Sequence, residues 1–171
     1  MNTSSFSIRT AHHNEAKHIA AIHTESWQLH YRNVLSDHYL DHIAPKERLE
    51  LWKKRFEQAN EQQQIFVVEK EGELCGFACN YLDKDPKWGT LLDNLHVLKK
   101  WQGNGLGKLL LKTSIAWSKK VRPNAPLYLW VYTSNLPAIN FYLHNGGKNV
   151  EEAVFDNPDG GEGSVYRMVW K

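Results

Sequence analysis

The first third of the chain has the hydrophobic spacing of helices. Apolar or aromatic residues recur three and four positions apart between residues 13 and 32, where Ile19 and Trp27 fall on one face. Ser36 is expected to cap a short helix, and a longer helix is expected to start near Pro45. A brief apolar–polar alternation ahead of these helices predicts one short strand.

From about residue 65 the spacing changes to that of strands. Residues 65–68 and 74–82 are apolar runs on either side of the turn signal Glu71-Gly72, which predicts a hairpin. The elements predicted after it are, in chain order, a strand at 88–98, a helix that follows a glycine-containing loop and ends near 121, a strand at 127–132, a helix from about 135 to 145, and strands at about 148–155 and 164–170. This order predicts a mixed α/β domain with a largely antiparallel sheet and helices on both of its faces.

Two narrower predictions concern the direction of side chains. In the helix after the glycine-containing loop, the buried stripe is expected at Leu106, Leu109, Leu110, Thr113 and Trp117. Cys75 and Cys79 lie four positions apart on a predicted strand. That offset places them on one face about 13 Å apart, which is too far for a disulfide, so two buried free thiols are expected.

Composition and charge exclude several classes of protein. The 171 residues are 42% hydrophobic and 23% charged, with a formal charge of +2, as is typical of a globular domain. No long Lys/Arg block indicates nucleic-acid binding, and no apolar run reaches the length of a membrane span. Residues 1–9 lack the apolar segment of a signal peptide. We therefore expect a single cytoplasmic domain over residues 1–171, with no nucleic-acid or membrane partner.

Nine histidines raise the question of a metal site. His38 and His42 have a spacing of four on a predicted helix, but the pattern H-E-x-x-H is absent because Tyr39 follows His38 directly. The two cysteines do not have the spacing of zinc ligands. No metal is expected.

Residues 91–117 form the segment with the most chemical information. A predicted strand leads into Gln102-Gly103-Asn104-Gly105-Leu106-Gly107, and a predicted helix follows. Glycines let backbone N–H groups converge, and a helix N-terminus adds unpaired N–H groups, so the segment predicts a site for a phosphate or diphosphate. The dinucleotide pattern G-x-G-x-x-G fails in both registers, and the P-loop pattern also fails.

The spacing Gln102-x-x-Gly105-x-Gly107 resembles the coenzyme A signature of the GCN5-related N-acetyltransferase (GNAT) family. A second stretch, Asn135-x-x-Ala138-x-x-Phe141-Tyr142, resembles the last helix of that family. The resemblance implies a GNAT-like fold with a mixed, mostly antiparallel sheet of about seven strands, splayed between the fourth and fifth strands.

The resemblance also implies where coenzyme A binds. The backbone of Leu95 and Val97 should pair with the pantetheine arm, and the Val97 N–H should polarise the thioester carbonyl. Asn135 should bond to the pantetheine side of the molecule. The diphosphate should be bound by the backbone N–H groups of Gln102, Gly103, Asn104, Gly105, Leu106, Gly107 and Lys108.

The catalytic residues follow from the same resemblance. Tyr142 matches the helix tyrosine that acts as general acid toward the thiolate. Asp93 is the candidate base, and Glu25 is another residue that could reach the acceptor. His96 is expected on the opposite face of the strand, as a histidine covered by a helix.

Trp27 and Tyr31 are one helical turn apart, and they either line the amine pocket or belong to the core. The leading hypothesis is an N-acetyltransferase that moves an acetyl group from acetyl-CoA to a primary amine by direct attack in a ternary complex. The acceptor is a small-molecule amine or a peptide amine, and the enzyme is a possible homodimer. A non-catalytic acyl-CoA sensor of the same fold is the alternative, and a nucleotide-dependent enzyme is a third.

Overall fold

A computed structural model describes residues 5–171, so the predictions for residues 1–4 lie outside the described residues. The elements are β1 Ser7–Thr10, α1 Ala16–His30, α2 Ala44–Glu57, β2 Gln63–Lys70, β3 Glu73–Asp85, β4 Gly89–Val97, α3 Leu106–Val121, β5 Leu127–Tyr132, α4 Leu136–His144, β6 Lys148–Asp156 and β7 Glu162–Trp170. Their order along the chain agrees with the predicted order.

The seven strands form one sheet in the order β1-β2-β3-β4-β5-β7-β6. Neighbouring strands are antiparallel except β4 and β5, which are parallel. One apolar cluster joins α1 and α2 to one face of the sheet, and another joins α3 and α4 to the opposite face. The predicted mixed α/β architecture with helices on both faces is confirmed.

Between α1 and α2, the structure has a single helical turn in place of the separate short helix that was predicted. The Tyr39 N–H donates to the Ser36 hydroxyl at 3.3 Å, which starts a single turn of π-helix over residues 39–43. That turn continues directly into α2, whose first turn contains Pro45. The expected short helix is therefore one turn at the start of α2.

Strands β4 and β5 separate soon after they meet. They pair only at Thr90 with Leu127 and at Leu91 with Tyr128, although β4 has nine residues and β5 has six. The carboxyl-terminal parts of both strands therefore diverge, and the sheet opens between them. The splayed fourth and fifth strands implied by the resemblance are confirmed.

A bulge in β3 corrects the prediction for the cysteines. Both are buried free thiols, but Cys75 packs in the cluster with α3 whereas Cys79 packs in the cluster with α1 and α2. Val68 pairs with Gly76 and Glu69 pairs with Leu74, so Cys75 is an extra residue that has no partner in β2. The inserted residue breaks the alternation of faces, which the spacing of four had assumed.

The buried stripe of α3 also differs from the prediction. Its buried residues are Leu106, Leu110, Leu111, Ser114 and Ser118, whereas Leu109, Thr113 and Trp117 are half-buried. The Ser118 hydroxyl donates to the Thr90 hydroxyl at 2.7 Å, so a serine can occupy the centre of the contact with β4. A hydrophobic pattern cannot reveal such a paired polar position.

Within residues 5–171, no helix has the length and apolar composition that crossing a membrane would require.

Candidate functional site

A cavity of about 470 Å³ runs through the gap between β4 and β5. We call its two ends the loop end, formed by residues 102–108 at the start of α3, and the helical end, formed by Ser26, His30 and Tyr31 at the end of α1. The walls between the ends come from β4, β5 and α4. The cavity thus connects the two faces of the sheet through the place where its hydrogen bonding stops.

The loop end presents backbone amides. Gly103 and Gly105 have φ values of +82° and +77°, a left-handed conformation that L side chains rarely adopt. Gly105 is the N-cap of α3, and the first intrahelical bond runs from the Leu109 N–H to the Gly105 carbonyl at 3.0 Å. The amides of the first turn therefore have no acceptor in the helix and are free to bind an anion.

Gly107 has a different role in the same motif. A Cβ atom on Gly107 would lie 3.4 Å from the ring of Phe141, at the lower edge of ordinary van der Waals contact, whereas a Cβ on Gly103 or Gly105 would meet nothing within 4 Å. Gly107 is therefore packed close to Phe141 of α4, whereas Gly103 and Gly105 are the glycines of the motif with a left-handed backbone.

Three polar side chains hold this end of the cavity in place. The Gln102 amide donates to the Val97 carbonyl at 3.2 Å, which ties the loop to the end of β4. The Asn104 amide donates to the carbonyls of Trp101 and Gln102, and Asn104 is outside the cavity lining. The Asn135 side-chain oxygen caps α4 by accepting from the Ala138 N–H at 3.3 Å, which leaves its NH2 group available to the cavity.

Tyr142 lies where the cavity passes through the sheet. Its ring is 9% exposed and packs edge-on against Phe141 and Trp170, and it lines the cavity. Burial raises the pKa of Tyr142 to about 12, because the phenolate is disfavoured away from water. The phenol is therefore protonated at neutral pH, as a proton donor must be.

Tyr31 faces the same part of the cavity, whereas Trp27 is one layer behind it. Tyr31 lines the cavity and packs edge-on against Tyr132 at 5.1 Å between ring centroids. Burial raises the pKa of Tyr31 well above its ordinary value, and Tyr142 and Tyr132 add to the shift. The Trp27 ring lies between Tyr31 and His23, with centroid distances of 5.7 and 4.9 Å, and is outside the cavity lining.

Asp93 lies on the α2 side of the cavity because β4 bulges there. Cys79 pairs with Asn94 and Asn80 pairs with Leu92, so Asp93 is the inserted residue. Its carboxylate accepts from Arg55 at 2.6 Å, and the same guanidinium donates to Asn94 at 2.7 Å. The side chain of Asp93 is 30% exposed, so solvent and a ligand in the cavity can still reach it.

His96 faces α1 and so lies on the same face of the sheet as Asp93, which contacts α2; the prediction that the two residues point to opposite faces is wrong. The inserted residue at Asp93 breaks the alternation that this prediction assumed. Its ring stacks on His23 at 4.9 Å, and its Nδ1 lies 2.7 Å from the Ser26 hydroxyl. Burial, together with the charge of His30, lowers the pKa of His96 to about 3, so the imidazole is neutral. His96 is covered by α1, as expected, and it also lines the cavity.

Three comparisons with known proteins agree with this geometry. The sequence profile of the Acetyltransferase (GNAT) family matches residues 19–146. The chain belongs to the GNAT acetyltransferase family.

Individual relatives agree with the family assignment. The N-acetyltransferase YuaI of Bacillus subtilis strain 168, itself uncharacterised, is 26% identical over 152 residues, which are 87% of this chain and 84% of YuaI. A spermine/spermidine N(1)-acetyltransferase of the same organism is 36% identical over 81 residues, 44% of this chain and 53% of that protein. The chain therefore spans about half the length of this second relative.

Solved structures share the fold. The PaiA N-acetyltransferase of Thermoplasma acidophilum, crystallised in complex with coenzyme A, superposes with a TM-score of 0.75 at 20% identity, covering 97% of this chain and 99% of that chain. A mutant of the spermidine N-acetyltransferase SpeG of Vibrio cholerae has a TM-score of 0.69 at 19% identity, covering 96% and 92% of the two chains. Both similarities concern the fold.

The structure brings together most of the residues that the sequence pointed to in this GNAT chain. The cavity is lined by Asp93, Leu95, Val97, Gln102, Gly103, Gly105, Leu106, Gly107, Lys108, Asn135, Tyr142 and Tyr31. Asn104 and Trp27 lie just outside that lining. Glu25 is exposed on α1 and does not line the cavity.

Sequence reasoning missed the arginines of α2. Arg48, Trp52 and Arg55 are spaced four and three residues apart, so they share one helix face, and Trp52 and Arg55 on that face contact the sheet side of the site. Two arginines on a helix face that otherwise carries core residues are a sequence signal for paired or stacked charges near a site. In residues 5–171, no group of three or more potential metal ligands is present in the GNAT chain.

Proposed function

We propose that this chain transfers an acetyl group from acetyl-CoA to a primary amine, with residues 1–171 acting as one domain. The observation that carries the proposal is the cavity that joins free backbone amides at the loop end to a buried, protonated Tyr142 in the gap between β4 and β5. The family assignment and the names of the relatives support the acetyl transfer.

The residues of the loop end fit coenzyme A. The amides of Gln102–Lys108 take the diphosphate, because an exposed helix N-terminus binds anions. The unpaired edge of β4 at Leu95 and Val97 pairs with the pantetheine arm, and the free NH2 group of Asn135 donates to it. A thioester held there lies beside Tyr142, between the two layers of helices.

The chemistry is a direct transfer within a ternary complex. Asp93 removes one proton of the ammonium, directly or through water, and the amine nitrogen forms a bond to the thioester carbonyl carbon. The Val97 N–H stabilises the negative charge that develops on the carbonyl oxygen. The bond from the carbon to sulfur then breaks, Tyr142 gives its proton to the departing sulfur, and the second proton of the nitrogen restores the Tyr142 phenol, directly or through water.

A thiol-release assay tests the proposal. The full chain is mixed with acetyl-CoA and a panel of primary amines that includes amino acids, peptides and spermine, and free CoA thiol is measured over time. Amine-dependent thiol release is expected. In Tyr142→Phe, kcat should fall by roughly 100-fold or more, because the general acid is lost, while the Kd for CoA measured by calorimetry stays unchanged.

Tyr166→Phe is the matched control, because Tyr166 packs in the core beside the site without lining the cavity. It should retain the activity of the wild-type protein. CoA binding without thiol release for any amine would overturn acetyl transfer in favour of an acyl-CoA sensor. Absence of CoA and acetyl-CoA binding would overturn acetyl transfer and the acyl-CoA sensor alike.

A further inference from the structure

Among residues 5–171, the cavity lining holds only two residues that are charged at neutral pH. These are Asp93, in the gap between β4 and β5, and Lys108 at the loop end, where the diphosphate is expected. Two histidines also line the cavity, but burial lowers the pKa of His30 and of His96, so both imidazoles are neutral. Away from the loop end, Asp93 is therefore the one charged group that the described part of the lining offers to a ligand.

Asp93 suits a single ammonium. Its carboxylate accepts from Arg55 at 2.6 Å, and its side chain is still 30% exposed, so a ligand can reach its remaining lone pairs. The neighbouring Asn94 is neutral, and its side-chain oxygen accepts from the same guanidinium. Within the described lining away from the loop end, a second ammonium on the acceptor would find no second carboxylate, and a carboxylate on the acceptor would find no cation. An unpaired charge in such a place is costly.

Trp130 lines the same part of the cavity from β5. The residues on either side of it pack in the cluster with α3 and α4, so Trp130 points to the face of the sheet that carries α1 and α2. The last pair between the two strands joins Leu91 to Tyr128. Asp93 and Trp130 each follow that pair by two residues, so they flank the gap from opposite strands.

Packing holds the Trp130 ring in place. The Arg167 guanidinium lies 4.2 Å from the ring centre, and Phe155 packs edge-on at 4.8 Å between ring centroids. Arg167 forms ion pairs with Asp85 and Glu151, so its charge is matched by carboxylates that do not line the cavity. A ring that is already fixed gives an apolar ligand a surface to pack on at little further cost in side-chain freedom.

Tyr31 supplies a second aromatic wall from α1. It lines the cavity and packs edge-on against Tyr132, which follows Trp130 by two residues on β5 and points to the same face. Burial raises the pKa of Tyr31, and Tyr142 adds to the shift, so this wall lies near the proposed general acid. The space left for the acceptor is thus bounded by two aromatic rings, Trp130 and Tyr31, and by one carboxylate, Asp93.

We infer that the acceptor is a primary amine with one positive charge and an aromatic or alkyl body, which packs on Trp130 while its ammonium lies beside Asp93. This inference rests on the proposed function. It names the acceptor class as arylalkylamines and apolar alkylamines, in place of polyamines or free amino acids. Apolar walls also help the chemistry, because a poorly hydrated ammonium has a lower pKa and gives up its proton more readily.

Pairs of amines that differ in one group test the inference. The kcat/KM is measured by thiol release for phenethylamine against phenylalanine, which adds a carboxylate, and for pentylamine against cadaverine, which adds a second ammonium. The wild type is expected to prefer the singly charged amine of each pair by about 10-fold or more, because the added charge has no partner in the cavity. It is also expected to prefer phenethylamine over ethylamine by about 10-fold or more, because the ring buries apolar surface.

Trp130→Ala tests the aromatic wall. The kcat/KM ratio of phenethylamine to ethylamine should fall about 10-fold, through KM, while the Kd for CoA stays unchanged. Trp130→Phe keeps an aromatic ring and should retain most of the ratio. Trp88→Ala is the matched control, because Trp88 also packs near the Arg167 guanidinium, at 5.6 Å, but does not line the cavity. It should keep the wild-type ratio.

The outcomes separate the inference from the proposed function. Equal rates within a pair, or a preference for cadaverine or phenylalanine, would overturn the inference while acetyl transfer stands. An unchanged ratio of phenethylamine to ethylamine in Trp130→Ala would also overturn it. Absence of thiol release with every amine would overturn the proposed function, and the inference with it.

Discussion

The loop end and the helical end of the cavity are built in different ways. The loop end uses one short stretch of backbone, Gln102–Lys108, of which all residues but Asn104 line the cavity and two are left-handed glycines. The helical end uses the side chains of Ser26, His30 and Tyr31, and the Ser26 hydroxyl lies 2.7 Å from His96 on β4, which is distant in sequence. Backbone sites are local in sequence, whereas side-chain sites depend on how helices are placed over the sheet.

This difference suggests how each end tolerates change. A substitution at the loop end should alter binding chiefly through charge or backbone conformation, because the groups expected to bind the diphosphate are backbone amides. A substitution at the helical end removes a functional group directly. We therefore expect larger effects on turnover at the helical end and smaller effects on CoA affinity at the loop end.

Apart from Tyr142→Phe, the largest effect is expected for Asp93→Asn on β4. If the carboxylate takes the proton of the ammonium, kcat should fall about 100-fold with an unchanged Kd for CoA. The matched control is Asp85→Asn, because Asp85 is also paired with an arginine, Arg167, but does not line the cavity. Thermal unfolding is recorded for both variants. A lower Tm for Asp93→Asn with kcat within about threefold of wild type would show that Asp93 only holds Arg55.

A smaller effect is expected for Gly105→Asp at the loop end. A Cβ at this position meets no atom within 4 Å, so the change adds charge without a clash. Repulsion of the diphosphate should weaken CoA binding about 10-fold relative to Gly105→Asn, which has the same shape and the same backbone cost. Calorimetry at low and high salt measures it, and the difference should shrink at high salt. Equal affinities for the two variants would mean that the diphosphate binds elsewhere.

Asn135→Ser tests a single donor between the two ends. Serine keeps the cap of α4, so the Tm should change little, but it removes the NH2 group that faces the cavity. We expect about a fivefold weaker Kd for CoA, the size of one hydrogen bond. Unchanged affinity would indicate that Asn135 serves α4 alone.

The smallest effect is expected on varying the pH from about 8 to about 10. Burial raises the pKa of Tyr142 to about 12, so the phenol stays protonated through this range and kcat at saturating amine should remain flat. The folded chain holds the Tyr142 proton more tightly than the unfolded chain does. The free energy of unfolding that this difference contributes is fully present below about pH 10 and is lost as the pH rises from about 10 to about 12. Circular dichroism follows that loss. A fall in kcat centred below about pH 10 that is absent in Tyr142→Phe would show that the phenol ionises well below about pH 12, contrary to the effect assigned to burial.

The sequence predicted the positions of the helices and strands better than it predicted which of their side chains are buried. Helix and strand periods placed every element, since those periods depend on neighbouring residues. The predicted side-chain direction was wrong at Cys75 and at His96, and it was incomplete along α3. In each place a feature that leaves local hydrophobicity unchanged, a bulge or a paired serine, decided which way the side chains point.

By itself, the sequence determined the order of the elements, the glycine loop with its free amides and the position of Tyr142 in a recognisable helix. These are properties of short stretches of chain. Only the tertiary structure decided that Asp93 pairs with Arg55, that His96 stacks on His23 of α1, and that Arg48 stacks on Trp27. Those contacts depend on how the helices cross a bulged strand. The periodicity of one segment does not determine its distance from side chains on another segment.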